Sequence, residues 1–189
     1  EVLRQPMESG EITISRTRYK VTYPAKFQLI AAMNPCPCGF LGDPQRDCHC
    51  SPEQVKRYQT RVSGPLLDRI DMHVPVCRLS PGQLIRPSVP GETSQAVRHR
   101  VTICRQLQLK RQGVTNSGLA PEILVGACLL GTSEEAELET AAEKMNLSGR
   151  AIHRTLRVAR TIADMDQSRS VGRAHISEAL AYRSMGNNL

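Results

Sequence analysis

Four cysteines fall between Cys36 and Cys50, as Cys36-Pro37-Cys38 and Cys48-His49-Cys50. No other feature restricts the folding of this chain as tightly. Four thiolates in so short a stretch can close around one tetrahedral divalent ion, provided the loop between them turns back on itself. The turn formers are present: Cys38-Gly39, Leu41-Gly42-Asp43-Pro44 and Ser51-Pro52. One residue inside each pair is tighter than the usual spacing, and His49 can stand in for a neighbouring thiol. A structural zinc site is the expected occupant, with an iron–sulfur cluster as the alternative. Four thiolates leave no open position for a substrate, so the metal is expected to hold structure rather than to react.

The chain has 189 residues, a net charge of +7 and seven cysteines. Its length suits one large domain or two small ones. The other cysteines, Cys77, Cys104 and Cys128, are isolated in apolar contexts, which points to a reducing, cytoplasmic setting with a metal rather than disulfides. No apolar run is long enough to span a bilayer, so no membrane partner is expected. A sequence pI of 9.3 suggests an anionic partner. Aromatic residues are only 3%, which argues against a broad base-stacking surface.

Ahead of the cysteines, Glu1 to Ser9 reads as the tail of a helix that Gly10 stops. Ile12 and Ile14 alternate with Thr13 and Ser15, and Tyr19, Val21 and Tyr23 alternate with Lys20 and Thr22. The pattern predicts a β-hairpin with the basic tip Arg16-Thr17-Arg18. A solvated turn whose charges protect an edge strand has the same pattern. Phe27 to Met33 is nearly all apolar, as in a central parallel strand covered on both faces, and it ends in Asn34-Pro35. Ligands sit beyond the carboxyl ends of such strands, where an amide can orient water or touch phosphate. An Asn that merely opens a turn would occupy the same place.

Beyond the cysteines, Ser51-Pro52-Glu53 opens a helix with Val55, Tyr58 and Val62 on one face, ended by Ser63-Gly64-Pro65. Arg69 lies between Asp68 and Asp71, placed for a local ion pair or for a phosphate. Met72 to Cys77 is predicted as a short strand. Prolines and glycines between Ser80 and Gly91 mark a linker. The rest is helical by periodicity. One helix is capped by Ser94 and runs to about Arg111, with Val97, Val101, Cys104 and Leu107 on one face and Arg98, Arg100, Arg105 and Lys110 elsewhere. A short one covers Ala120 to Leu130, and a capping box at Thr132 to Glu135 opens another to about Met145. Ser148 caps the next, with Ile152, Leu156, Ala159 and Ile162 inward, and a last helix runs from about Ala174 to Ser184. Arg150 falls in a first helical turn, where a cation opposes the dipole, so it is the arginine of that helix most in need of a role.

The fold class expected is α/β plus all-α. Asn34 after its strand, the basic hairpin, Ser63-Gly-Pro-Leu-Leu-Asp-Arg69-Ile-Asp71, Gly149-Arg150 and Ile176-Ser-Glu-Ala-Leu-Ala-Tyr-Arg183 together resemble the AAA+ ATPases of the magnesium chelatase and MCM helicase branch. Asn34-Pro-Cys-Pro-Cys-Gly is more specific and resembles the magnesium chelatase-like competence proteins, the ComM or YifB group. The resemblance implies a partial AAA+ core over 1–79, a linker over 80–93 and a helical lid domain over 94–189. No phosphate loop with its Lys-Ser/Thr occurs in the chain. The Walker segments are therefore expected upstream, in a longer protein, and the chain alone is expected to be inactive.

The same resemblance assigns roles. Asn34 is similar to the sensor 1 amide that positions the attacking water, and Arg69 to the arginine finger that reaches a neighbouring subunit. Arg150 is similar to the sensor 2 arginine, with Arg154 as the alternative. Arg16, Arg18 and Lys20 sit on what resembles the pre-sensor 1 hairpin, which faces DNA. ATP with Mg, zinc on Cys36, Cys38, Cys48 and Cys50, a homo-hexamer, and single-stranded or branched DNA follow as expectations, with DNA translocation or branch migration as the process. Two rival readings use the same residues: a metal-chelatase or chaperone-type AAA+ subunit acting on a protein partner, and a non-enzymatic zinc-bearing interaction module.

Overall fold

Helix α1 (Arg4–Ser9) stops where Gly10 turns left-handed at φ 68°, and the Gly10 N–H returns to the Pro6 carbonyl. The structure is a computed structural model that describes residues 2–85 and 91–184. The chain divides into two units, the first running to Ile70 and the second beginning at Asp71.

In the first unit, strands β1 (Glu11–Arg16) and β2 (Tyr19–Pro24) pair antiparallel. Arg16 stands opposite Tyr19, which leaves Thr17-Arg18 as a two-residue turn. The Ala25 N–H donates to the Gly10 carbonyl at 2.7 Å and closes the ribbon's base. This hairpin is the only sheet among the described residues. The strand expected over Phe27 to Met33 does not form, nor does that over Met72 to Cys77. A strand is held by its ladder partners, and no partner strand lies beside either segment among the described residues. Ile30 and Val76 are accordingly 85% and 92% exposed. The α/β sheet is thus not realised here, and the first unit is a ribbon, a cysteine loop and short helices. The Ser51 cap holds: its hydroxyl accepts from Gln54 N–H and Gln54 returns to Ser51 N–H, opening α2 (Pro52–Gln59). Helix α3 (Gly64–Leu67) follows after the predicted break.

In the second unit residues 71–80 form neither helix nor strand, and the regular structure among the remaining described residues is helical. Helix α4 (Pro81–Ile85) occupies the start of the expected linker, and residues 86–90 of that linker lie outside the described residues. Then come α5 (Ser94–Gln112), a 3-10 turn (Asn116–Gly118), α6 (Pro121–Cys128), α7 (Thr132–Lys144), α8 (Gly149–Met165) and α9 (Arg173–Ser184). Thr93, one residue before the expected Ser94, caps α5. Gly131 starts α7 without any side-chain cap, so Thr132 lies inside the helix and the predicted capping box is absent. Ser148 caps α8 as expected.

Helix α8 is the spine of this unit. Leu156 and Ala159 are buried against Leu124, Cys128, Val171 and Ile176, with Ile152 and Ile162 packed beside them. The apolar face of α5 is buried only in part: Cys104 is buried, but Val97, Val101 and Leu107 are exposed, and Gln108 is the other buried residue. Polar groups explain the difference. Gln108 accepts from the Asn116 N–H, and Asp164 receives both Arg111 Nη atoms, Asn116 Nδ2 and Arg160 Nη2. The α5 face that meets α8 is held by this buried polar cluster, which leaves the apolar side chains outward.

Candidate functional site

The cysteine loop is a preformed four-sulfur cradle. Gly39 and Gly42 take φ 82° and 80°, which only glycine adopts without strain, and they fold the two pairs together. The Sγ atoms of Cys36, Cys38, Cys48 and Cys50 lie within 4.8 Å of one another. Cys36 to Cys38 is 3.3 Å, Cys36 to Cys48 3.7 Å and Cys38 to Cys48 3.6 Å. A tetrahedral zinc with bonds of about 2.3 Å needs sulfurs about 3.8 Å apart, so the donors fit that ion in type and spacing. His49 is exposed and is not part of the sulfur cluster.

The electrostatics agree. The Phe40 amide, with burial opposing it and the His49 amide assisting, brings the Cys38 thiol down to about 6. At Cys48 the Cys50 amide also favours the thiolate, but burial and hydrogen bonds from the crowded sulfurs outweigh it and push the thiol up to about 12. Thiolates this close cannot all form without a cation, and a divalent ion removes that conflict. Amide N–H groups aimed at the sulfurs also tune thiolates bound to metal.

Asn34 is exposed and lies against this cradle: a Cβ on Gly39 would sit 3.7 Å from Asn34 Nδ2. Arg69 is not presented outward. It is 9% exposed, Nη1 donates to the Pro65 carbonyl at 2.5 Å, and Nη2 lies 2.7 Å from Glu8 Oε1. Its Nε is buried without a partner. The expected local pair with a flanking aspartate is therefore replaced by one with α1. Asp71 instead receives Arg154 Nη1 at 2.6 Å within the second unit. Arg150 is exposed in the first turn of α8. Arg157 donates to the Leu119 carbonyl, and Arg160 is fully buried on Asp164, Ser168 and Arg169. Along α8, then, Arg157 and Arg160 are tied to backbone carbonyls, Arg154 is half-buried on Asp71, and Arg150 is exposed.

At the hairpin, Arg16, Arg18 and Lys20 are all exposed. Strand alternation puts Arg16 on one face with Ile14, Tyr19, Val21 and Tyr23, and Lys20 on the other. Tyr19 and Tyr23 are 74% and 50% exposed. Composition argued against stacking on rings, yet two of the four tyrosines gather here beside a guanidinium. The pairings of Glu8 with Arg69 and of Asp71 with Arg154 leave no signal in the sequence, because the partners are remote along the chain. The period-2 pattern did carry the tyrosine face.

No helix among the described residues is long and apolar enough to cross a membrane. Two family descriptions match in tandem: "Magnesium chelatase, subunit ChlI" over residues 1–84 and "Magnesium chelatase, subunit ChlI C-terminal" over residues 91–183. An Escherichia coli protein, YifB, is 46% identical over 186 residues, covering 98% of this chain and 36% of that protein. The competence protein ComM of Haemophilus influenzae is 45% identical over the same shares. A Mycobacterium tuberculosis protein is 38% identical over 190 residues, covering 98% of this chain and 37% of its own length. The chain spans 36% of the length of its YifB and ComM relatives. With both matches in chain order, these sequences place the protein in the magnesium chelatase-like family.

Proposed function

We propose that the chain is the rear part of an AAA+ ATPase module of a ComM-like DNA motor, working in competence and recombination as a hexamer. The observation that carries this reading is the amide of Asn34 lying beside Gly39 at the edge of a four-cysteine cradle, within a chain so similar to ComM. Phosphoryl transfer depends mainly on positioning and charge neutralisation, which suits an amide and arginines without a covalent nucleophile. In this reading ATP with magnesium supplies the phosphoryl group, bound largely by Walker segments upstream of this chain. Asn34 orients the attacking water. Arg150, or Arg154 once released from Asp71, neutralises phosphate charge from the helical unit, which acts as the lid. Arg69 acts as the finger when Glu8 gives it up. Zinc on the four cysteines is structural. The hairpin grips single-stranded or branched DNA through Arg16, Arg18 and Lys20, with Tyr19 and Tyr23 offering faces for bases.

The test uses the protein carrying this chain together with its phosphate loop. Asn34→Ala is expected to keep nucleotide affinity while turnover falls roughly a hundredfold, the scale of losing one positioned transition-state donor. Unchanged turnover would remove Asn34 from the mechanism. The chain by itself is expected to show no ATP turnover.

A further inference from the structure

Asn34 and the cysteine cradle form one mechanical piece. Asn34 stands two residues before Cys36, with Pro35 stiffening the chain between them. Its side chain rests on the first turn of the cradle, where Gly39 N–H donates to the Cys36 carbonyl at 3.0 Å. The same loop is tied from its other end. Gln59, the last residue of α2, donates from Nε2 to the Pro35 carbonyl at 3.2 Å. Helix α2 is started by Ser51, which directly follows Cys50. The backbone beside Asn34 is therefore fixed on one side through Cys36 and on the other through Cys50, Ser51, α2 and Gln59. The four sulfurs, which lie within 4.8 Å of one another, bring those two routes together.

We propose that metal in the four-cysteine cradle is the positioning device for Asn34. Filling the site locks the loop that aims the amide, and emptying it releases Asn34 while leaving other nucleotide contacts alone. The cysteines are then positioning residues that act through Asn34. This rests on the reading of Asn34 as the water-orienting amide, but the link between cradle and loop is testable apart from it.

The experiment uses the full polypeptide with Cys48→Ala, Asn34→Ala and the double variant. Zinc content is measured by elemental mass spectrometry, hydrogen exchange on peptides covering 34–41 and on α8, nucleotide affinity with a fluorescent ATP analogue, and turnover. Cys48→Ala is expected to lose zinc and to speed exchange over 34–41 at least about fivefold, with α8 unchanged. Turnover is expected to fall as far as in Asn34→Ala, and the double variant to fall no further than either single one, because both remove the same interaction. Loss of zinc with unchanged exchange over 34–41 would overturn the proposal, as would turnover losses that multiply in the double variant. Retention of zinc by Cys48→Ala would remove the ligand set itself. Should Asn34→Ala leave turnover intact, the catalytic reading fails, and the exchange arm still decides whether metal positions the loop. A chelation and zinc-readdition arm on the unmutated protein guards against misfolding: exchange over 34–41 must rise and then recover. Cys48→His, which keeps a ligand, is expected to restore both zinc and slow exchange.

Discussion

Arg69 Nη2 lies 2.7 Å from Glu8 Oε1, so the guanidinium expected to reach a neighbouring molecule is held by the first helix of its own chain. The pair is uneven: the arginine side chain is 10% exposed and the glutamate 36%. Removing the carboxylate leaves a buried charge with one carbonyl partner. Glu8→Gln is expected to cost about 1–3 kcal/mol in urea unfolding, between the values for exposed and buried pairs. In the full-length protein the same change is expected to raise turnover if Arg69 is the finger, since it removes the competitor for that guanidinium. Lower turnover at preserved stability would count against that role.

Asp164 gives a pH prediction. Burial alone would raise its pKa, but hydrogen bonds from Arg111 and Asn116 and the charges of Arg160 and Arg111 win, and its pKa is lowered. A carboxyl lowered on folding stabilises the protein above its unfolded value of about 3.9 and loses that contribution as pH falls through the folded value. Acid unfolding of the helical unit should therefore steepen below about pH 4. Asp164→Asn should remove that slope and cost about 3–5 kcal/mol at neutral pH, because two arginines lose their counter-charge. Denaturation curves at stepped pH check both.

Packing gives a contrast of two apolar residues. Leu156 is 2% exposed and Val101 52%. Leu156→Ala is expected to cost about 2–5 kcal/mol, and Val101→Ala to stay within about 0.5 kcal/mol. Equal costs would mean that the outward α5 face is covered in solution.

The hairpin separates charge from stacking. Neutralising Arg16, Arg18 and Lys20 together should reduce the slope of log affinity against log salt by about two units on single-stranded DNA. Tyr19→Ala should weaken binding by about 1–3 kcal/mol and leave that slope alone. Fluorescence anisotropy across a salt series distinguishes the two. Full-length protein whose DNA affinity ignores all four changes would favour a protein partner instead.

Local signals in the sequence were good guides. Gly10 and Gly113 stop helices because both adopt left-handed backbone, and Ser51 and Ser148 cap because their hydroxyls meet the third amide onward. The four cysteines converge because the glycines between them allow it. What failed was non-local. Phe27 to Met33 has the composition of a strand, but pairing is a property of two segments, and no partner strand lies beside it among the described residues. The apolar face of α5 is buried only in part because Asn116 and Asp164 claim the inner face, and their hydrogen bonds leave no periodic trace. Arg69 was read against its sequence neighbours, while its carboxylate comes from sixty-odd residues upstream.

The unpaired apolar stretch has a consequence for handling. Phe27, Ile30, Val74 and Val76 face water at 48, 85, 60 and 92%. Each such side chain gains free energy by leaving solvent, at about 25 cal/mol per Å². Light scattering should show apparent mass rising with concentration, and more steeply in sulfate, which is excluded from protein surfaces and favours burial. Colloidal behaviour in the tube is thus set by the same bare segments that find no ladder partner among the described residues.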